Sequence, residues 1–151
     1  MRYFLDTEFN GFGGALISLA LVSETGASLY LVYGAAPTTD PFVLDQVQPK
    51  LLCVPATIEV RRVDQADGAR AIEVFLRDDP DPQLIADWPD DVRLCCQALM
   101  IAPGRTPPIP RLRFEIHRVE PYPTELAGAL EHNAWCDAMA LRERLKPQSP
   151  S

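Results

Sequence analysis

Two carboxylates stand one residue apart near the start of the chain, at Asp6 and Glu8. They follow the apolar run Tyr3-Phe4-Leu5, which predicts a short buried strand over residues 2–6. Because side chains at i and i+2 of a strand lie on one face, both carboxylates project together from its end. Two neighbouring anions resist burial unless a cation joins them. The pair therefore indicates a divalent metal site. The spacing alone leaves one alternative open, a strand end that simply enters a polar loop.

A histidine and an aspartate lie close together near the other end of the chain, within His132-Asn133-Ala134-Trp135-Cys136-Asp137. Asn133 is a good N-cap residue, so the last predicted helix begins there and His132 lies in the preceding loop. Asp137 falls about one turn inside this helix, beside its apolar face, where a carboxylate needs a partner. The alternative is an exposed histidine with an unrelated aspartate. The other histidine, His117, falls in a strand pattern, where packing is its expected role.

The middle of the chain carries three further aspartates, at Asp87, Asp90 and Asp91. Aspartate is favoured in the first turn of a helix by capping and by the helix dipole, so we expect one of the three to cap. Another can reach a metal, because the strand predicted over residues 84–86 brings this turn to the same end of the sheet as Asp6. The residues by themselves do not choose among the three.

The hydrophobic pattern predicts an α/β domain in which these segments can meet. Close strands predicted over 2–6, 15–22 and 28–33 form an antiparallel meander. Apolar residues three and four apart predict helices over 42–51, 66–76, 92–100 and about 133–145, and further strands are predicted over 84–86 and 112–117. This order predicts a mixed sheet flanked by helices. We expect a single domain over residues 1–146 and a flexible tail over 147–151.

The composition is that of an ordinary globular domain of 151 residues, 47% apolar and 23% charged. The net charge of −7 argues against a protein that coats long stretches of nucleic acid. It does not exclude one that grips a few nucleotides, because metal ions can reverse the local field. The four cysteines lack a CxxC spacing, so we expect buried free thiols and a reducing, cytoplasmic location. We also expect neither a targeting segment nor a membrane helix in this sequence.

In their order along the chain, these acidic segments resemble the three motifs of the DEDDh superfamily of 3′–5′ exonucleases. The residues that carry the resemblance are Asp6-Thr7-Glu8, Asp91 within residues 86–94, and His132 through Asp137. The chain looks closest to the short stand-alone bacterial exoribonuclease branch related to ribonuclease T, from residue 2 to about 145. Its middle segment lacks the family's His-Asn lead-in. Asp91 matches best because Leu94 follows it three residues later, where the family's helix has an apolar residue. Asp87 and Asp90 are the alternatives.

The resemblance implies a ribonuclease H-like fold, with the antiparallel meander joined by parallel strands, and two bound divalent ions, Mg²⁺ or Mn²⁺. Asp6 would bridge both ions, Glu8 and Asp137 would hold the ion that binds the attacking water, and Asp91 would complete the second site. His132 would be the general base. The implied activity is release of nucleoside 5′-monophosphates from single-stranded 3′ ends, of RNA first and DNA second, and a homodimer is plausible. The alternative is a catalytically silent module that binds nucleotides or proteins.

The candidates for substrate binding are Thr7, within the first motif, and Phe9, Asn10 and Phe12, in the loop that follows it. Phe9 or Phe12 can stack on the terminal base, and the neighbouring glycines would allow the loop to approach the nucleic acid closely. The alternative is that these aromatic rings seal the core beneath a glycine turn.

Overall fold

The structure of the protein is a computed structural model that describes residues 1–34, 37–118 and 130–146. Within this part of the chain, six strands form one sheet and three α-helices pack on it. The strands are β1 (Arg2–Phe9), β2 (Leu16–Ser23), β3 (Ser28–Tyr33), β4 (Val60–Val63), β5 (Gln83–Ala86) and β6 (Arg113–Ile116). The helices are α1 (Gln65–Leu76), α2 (Pro89–Ala98) and α3 (Ala134–Arg144). The predicted tail over 147–151 lies outside the described residues.

The sheet is mixed, in the order β4-β3-β2-β1-β5-β6. β1 pairs antiparallel with β2, and β2 pairs antiparallel with β3, which is the predicted meander. β5 runs parallel to β1, β6 parallel to β5, and β4 parallel to β3. The prediction of an α/β fold with a mixed sheet flanked by helices is therefore confirmed.

The two faces of the sheet bury different helices, and β1 contributes to both. Tyr3 and Leu5 join the core beneath α1 and α2, together with buried residues such as Ile72 and Cys95. Phe4 points the other way and packs with Leu141 of α3. Because side chains alternate along a strand, Asp6 and Glu8 continue the face of Phe4, towards α3.

β1 is longer than predicted, and this changes the setting of the two carboxylates. The strand runs to Phe9 and stays paired with β2, with a bulge between Glu8 and Phe9. Asp6 pairs with Ala20 and Glu8 with Ser18, so both carboxylates project from a paired strand. The rigid sheet thus fixes the spacing between them.

Two other local features differ from the sequence prediction. The helix predicted over 42–51 is irregular, with a π-type segment Val43–Val47 followed by a 3₁₀ turn Gln48–Lys50. Pro49 lies in this turn and has no N–H to donate to a regular helix. Strand β4 was not predicted, because its sequence Val-Arg-Arg-Val is short and polar in the middle.

The cysteines are only partly buried in the fold. All four cysteines are free, but only Cys95 and Cys136 are buried, whereas Cys53 and Cys96 are exposed. The expectation of four buried thiols was therefore wrong for two of them. Cys96 is exposed because it follows buried Cys95 on α2, and successive helical side chains point about 100° apart.

Among the described residues, none of the helices has both the length and the apolar character needed to cross a membrane.

Candidate metal centre and active-site pocket

The carboxylates meet at the edge of the sheet where the parallel strands β1 and β5 end. Phe4 pairs with Ile85, so this register brings Asp87 alongside Asp6. Helix α2 starts directly after Asp87 and Trp88 and carries Asp91 in its first turn. Helix α3 crosses the other face of β1 and supplies Asp137 from its own first turn. Three separate segments thus deliver acidic side chains to one place.

Five carboxylates form two groups that share Asp6, and in each group the nearest oxygens lie within 4.8 Å of one another. One group contains Asp6, Glu8 and Asp137, and the other contains Asp6, Asp87 and Asp91. Each group could hold a metal ion. The three aspartates of the middle segment are thereby distinguished: Asp87 and Asp91 both join the second group, and Asp90 belongs to neither.

Asp90 instead serves the surface of α2. Its carboxylate accepts a hydrogen bond from Arg93 at 2.7 Å and another from the indole Nε1 of Trp88 at 3.3 Å. Because it faces these partners at the helix start, it is not a candidate ligand in this structure.

Asp91 shows most directly that the second group suits a cation. The residue is only 2% exposed, and its Oδ1 accepts hydrogen bonds from the backbone N–H and the hydroxyl of Thr7, at 3.0 Å and 2.6 Å. Its Oδ2 is also buried and has no hydrogen-bond partner among the described residues. A buried carboxylate oxygen without a donor is costly, and a cation between Asp91 and Asp6 would satisfy it. Thr7, predicted to bind substrate, therefore positions a carboxylate.

The electrostatics of the site are those of crowded, poorly hydrated anions. Loss of hydration is the largest cause that raises the pKa of Asp6, and the charges of Asp91, Asp137, Glu8 and Asp87 add to it. Burial, followed by the charges of Asp137 and Asp91, raises the pKa of Glu8 to about 8. Burial also raises the pKa of Asp91 to about 7, against the opposing hydrogen bonds from Thr7. A divalent cation would reverse this balance, and hard carboxylate oxygens suit Mg²⁺ or Mn²⁺.

His132 lies beside the first carboxylate group. Its backbone N–H donates a hydrogen bond to Asp137 Oδ2 at 3.0 Å, and its ring meets the ring of Phe42 edge-on, with the centroids 5.1 Å apart. Burial lowers the pKa of the imidazole, and the nearby ammonium of Lys50 lowers it further. A neutral imidazole at this position can accept a proton.

The turn that carries His132 is held by Lys50 from the 3₁₀ turn. The Lys50 carbonyl accepts a hydrogen bond from Asn133 Nδ2 at 2.8 Å, and the Lys50 ammonium donates one to the carbonyl of Glu131 at 3.2 Å. Asn133 Oδ1 caps α3 by accepting from the Cys136 N–H at 3.1 Å, as predicted. His132 itself has a left-handed backbone, with φ +64°, which these contacts stabilise.

The acidic groups and His132 line one pocket of about 470 Å³. Four aromatic side chains share the lining, at Phe9, Phe12, Phe42 and Trp88. Sequence reasoning did not select Phe42, Trp88 or the lining residue Asp40. Trp88 could have been found from its place between two candidate ligands, whereas Phe42 carries no local signal.

The remaining candidates of the first loop have different roles in the structure. Phe12 is 86% exposed, so it does not seal the core, and its ring centroid lies 6.2 Å from that of the half-buried Phe9. Asn10 Oδ1 accepts hydrogen bonds from the backbone N–H groups of Thr39 and Asp40, at 2.9 Å and 3.0 Å. Asn10 thus fastens the neighbouring loop and does not line the pocket. His117, which follows β6, contacts Glu115 and also lies outside the pocket lining.

A scan against protein-family models and a search of curated proteins found no match to the chain. The function must therefore be inferred from the sequence motifs and the geometry of the site.

Proposed function

We propose that the protein is a metal-dependent 3′–5′ exonuclease with a ribonuclease H-like fold. It would remove nucleoside 5′-monophosphates from single-stranded 3′ ends, of RNA first and DNA second. The observation that carries this proposal is the pair of carboxylate groups that share Asp6, with His132 beside one of them. Two acidic groups with a common member are what a two-metal phosphodiesterase needs, since its ions lie about 3.5–4 Å apart.

The sheet supports the same proposal. An antiparallel meander, β1 to β3, continued by β5 and β6 parallel to β1, is the strand pattern that the family resemblance implies. β4 extends this pattern at the far edge, beyond β3, away from the acidic groups. The proposed active site therefore occupies the carboxyl end of the central strand, where ligands bind in open α/β sheets.

The carboxylates suit two divalent cations, Mg²⁺ or Mn²⁺. Glu8 and Asp137 would hold one, Asp87 and Asp91 the other, and Asp6 both. When bound, such ions neutralise phosphate charge and make water more acidic. The resemblance implied a single ligand from the middle segment, Asp91, and we add Asp87 to it.

His132 would act as the general base. Its lowered pKa keeps the imidazole neutral, so it can take a proton from the attacking water. Asp137 helps to hold the turn that carries this base, because its Oδ2 accepts a hydrogen bond from the backbone N–H of His132. The water oxygen bonds to phosphorus as the bond from phosphorus to the 3′ oxygen of the preceding nucleotide breaks. In an in-line displacement that leaving oxygen lies opposite the water, on the side of Asp87 and Asp91.

The lining of the pocket favours unpaired nucleic acid. Phe12 and Phe42 are more than half exposed, at 86% and 54%, and Trp88 is 39% exposed. Aromatic faces of this kind bind nucleobases by stacking, which a base inside a duplex cannot offer. The aromatic lining therefore supports a single-stranded end as the substrate.

The test is hydrolysis of 3′-tailed RNA and DNA oligonucleotides in Mg²⁺ or Mn²⁺, with EDTA and the variant Asp6→Asn as controls. We expect stepwise release of mononucleotides that EDTA and Asp6→Asn abolish. Asp78→Asn is the matched control, because Asp78 is an exposed carboxylate outside the pocket, and it should retain wild-type activity. Binding of single strands without hydrolysis in either metal would refute the proposal and support a silent nucleotide-binding module.

A further inference from the structure

Trp88 belongs to the aromatic lining of the pocket, but the proposed function does not assign it to a particular nucleotide. It is the N-cap residue of α2 and lies in the chain between Asp87 and Asp91, two members of the second carboxylate group. Its side chain lines the pocket and is 39% exposed. A large aromatic surface therefore stands directly beside the acidic groups, open to whatever enters the pocket.

The indole is held in place from two directions. Its Nε1–H donates to Asp90 Oδ2 at 3.3 Å, and Asp90 is fixed in turn by Arg93 at 2.7 Å. The guanidinium carbon of Arg118 lies 4.3 Å from the centre of the indole ring, which is cation–π geometry. A ring fixed at its edge and covered on one face by a cation loses little conformational entropy when a ligand stacks on its other face.

The side of the pocket on which Trp88 lies identifies what would stack there. His132 lines the pocket, and its backbone N–H donates to Asp137 Oδ2, so in the proposed mechanism the attacking water approaches from the side of Glu8 and Asp137. In-line displacement places the leaving 3′ oxygen on the opposite side, at Asp87 and Asp91. The nucleoside that carries this oxygen is the penultimate one of the strand. Trp88 is the aromatic lining residue that lies between these two carboxylates in the chain.

We propose that Trp88 is the stacking platform for the base of the penultimate nucleotide. This inference rests on the proposed function, since it takes the direction of attack from it. The broad indole face should favour a purine over a pyrimidine at that position, because the stacked area is larger.

The experiment compares the wild type and three variants on three oligonucleotides of the same length. The substrates are intact, abasic at the penultimate position, or abasic at the terminal position. The variants are Trp88→Ala, Trp88→Phe and Trp135→Phe. Trp135 is a matched control, because its indole donates a hydrogen bond to the hydroxyl of Ser28 and does not line the pocket.

On the intact substrate we expect Trp88→Ala to lower kcat/KM by about 5- to 150-fold, the worth of one base–aromatic stack. The loss should shrink to about twofold or less on the penultimate abasic substrate, because the partner base is already missing. It should persist on the terminal abasic substrate. Trp88→Phe should recover most of the activity, and Trp135→Phe should change none of the ratios by more than about twofold.

A loss that is equally large on the penultimate abasic substrate would overturn the inference while leaving the proposed function intact. No hydrolysis of the intact substrate by wild type would instead refute the proposed function. Thermal unfolding of each variant guards against misfolding, and Trp88→Leu replaces Trp88→Ala if the alanine variant unfolds. The leucine side chain keeps apolar bulk but offers no aromatic face, so it tests the same prediction.

Discussion

The most direct consequence of the crowded carboxylates is that the metal-free protein should become more stable when one of them is neutralised. Glu8 is the best residue for this test, since it is only 9% exposed and its carboxylate lies with those of Asp6 and Asp137. Burial and the neighbouring charges raise its pKa from 4.5 to about 8. The folded protein therefore keeps a proton on Glu8 that the unfolded chain releases near pH 4.5.

The sign of the pH dependence follows from proton linkage. Between pH 4.5 and about 8 the folded state binds more protons at this site than the unfolded state, so the free energy of unfolding falls as the pH rises. Each pH unit is worth about 1.4 kcal/mol, and the ionised carboxylate costs the folded state roughly 5 kcal/mol above pH 8. Glu8→Gln removes the charge but still buries an amide, so we expect it to recover about 2–3 kcal/mol.

In EDTA at about pH 8.5, this gain should raise the Tm by roughly 5–10 °C for a chain of this size. The gain should disappear near pH 4.5, where Glu8 is protonated in the folded wild type. Excess Mg²⁺ should then stabilise the wild type by about 2.7 kcal/mol at 100 times its Kd and the variant by much less. Differential scanning calorimetry or urea unfolding, with and without Mg²⁺, measures all three quantities.

Glu59→Gln is the matched control, because the Glu59 side chain is 71% exposed and pairs with Arg61 on the surface. It should change stability by less than about 0.5 kcal/mol, with no dependence on Mg²⁺. Two results would refute the reasoning. Glu8→Gln could lower the Tm in EDTA at high pH, which would mean that the carboxylate is stabilising without a metal. Alternatively, Mg²⁺ could raise the Tm of both proteins equally, which would mean that Glu8 binds no ion.

Three further predictions address the base, the substrate and the positioning of a ligand. His132→Asn should lower turnover by about 10²-fold or more with little change in Tm, because asparagine tolerates the left-handed backbone at this position. His117→Asn is the control, and normal turnover in His132→Asn would rule out His132 as the general base. Phe12→Ala should weaken the binding of single strands by about 1–3 kcal/mol without lowering the Tm, because the Phe12 ring is 86% exposed. A fall in Tm with unchanged affinity for single strands would show that the ring is structural. Thr7→Val removes the 2.6 Å hydrogen bond from the Thr7 hydroxyl to Asp91 and should reduce metal affinity or activity by about 10- to 100-fold, which metal titration measures. If the variant bound metal as tightly as the wild type, the hydroxyl would not position Asp91.

Much of the site follows from local periodicity in the sequence. The two-residue repeat of a strand places Asp6 and Glu8 on one face wherever the strand lies, and the structure groups their carboxylates with that of Asp137 from α3. Asn133 marked the start of α3 because its side chain satisfies a free N–H of the first turn. These features depend on neighbouring residues alone, so no knowledge of the fold was needed.

The choice among the middle aspartates depended on the tertiary structure. Asp87 reaches Asp6 because β5 pairs parallel with β1, and Asp91 reaches it because α2 starts where its first turn faces inward. Asp90 is only one residue away from Asp91 but points about 100° around the helix, towards Arg93. Five residues of sequence contain three chemically equal candidates, and only the pairing of β5 and the direction of α2 separate them.

The sequence by itself therefore determined which residue types could do the chemistry and, in the strand and the last helix, which of them share a face. The tertiary structure decided that Asp87 joins the acidic groups, that Phe42 and Trp88 line the pocket, and that β4 forms against the edge of β3. The physical reason is the range of the interactions involved. Hydrogen bonding, capping and alternation act between near neighbours, whereas the pocket is made by side chains more than a hundred residues apart in the chain, such as Glu8 and Asp137.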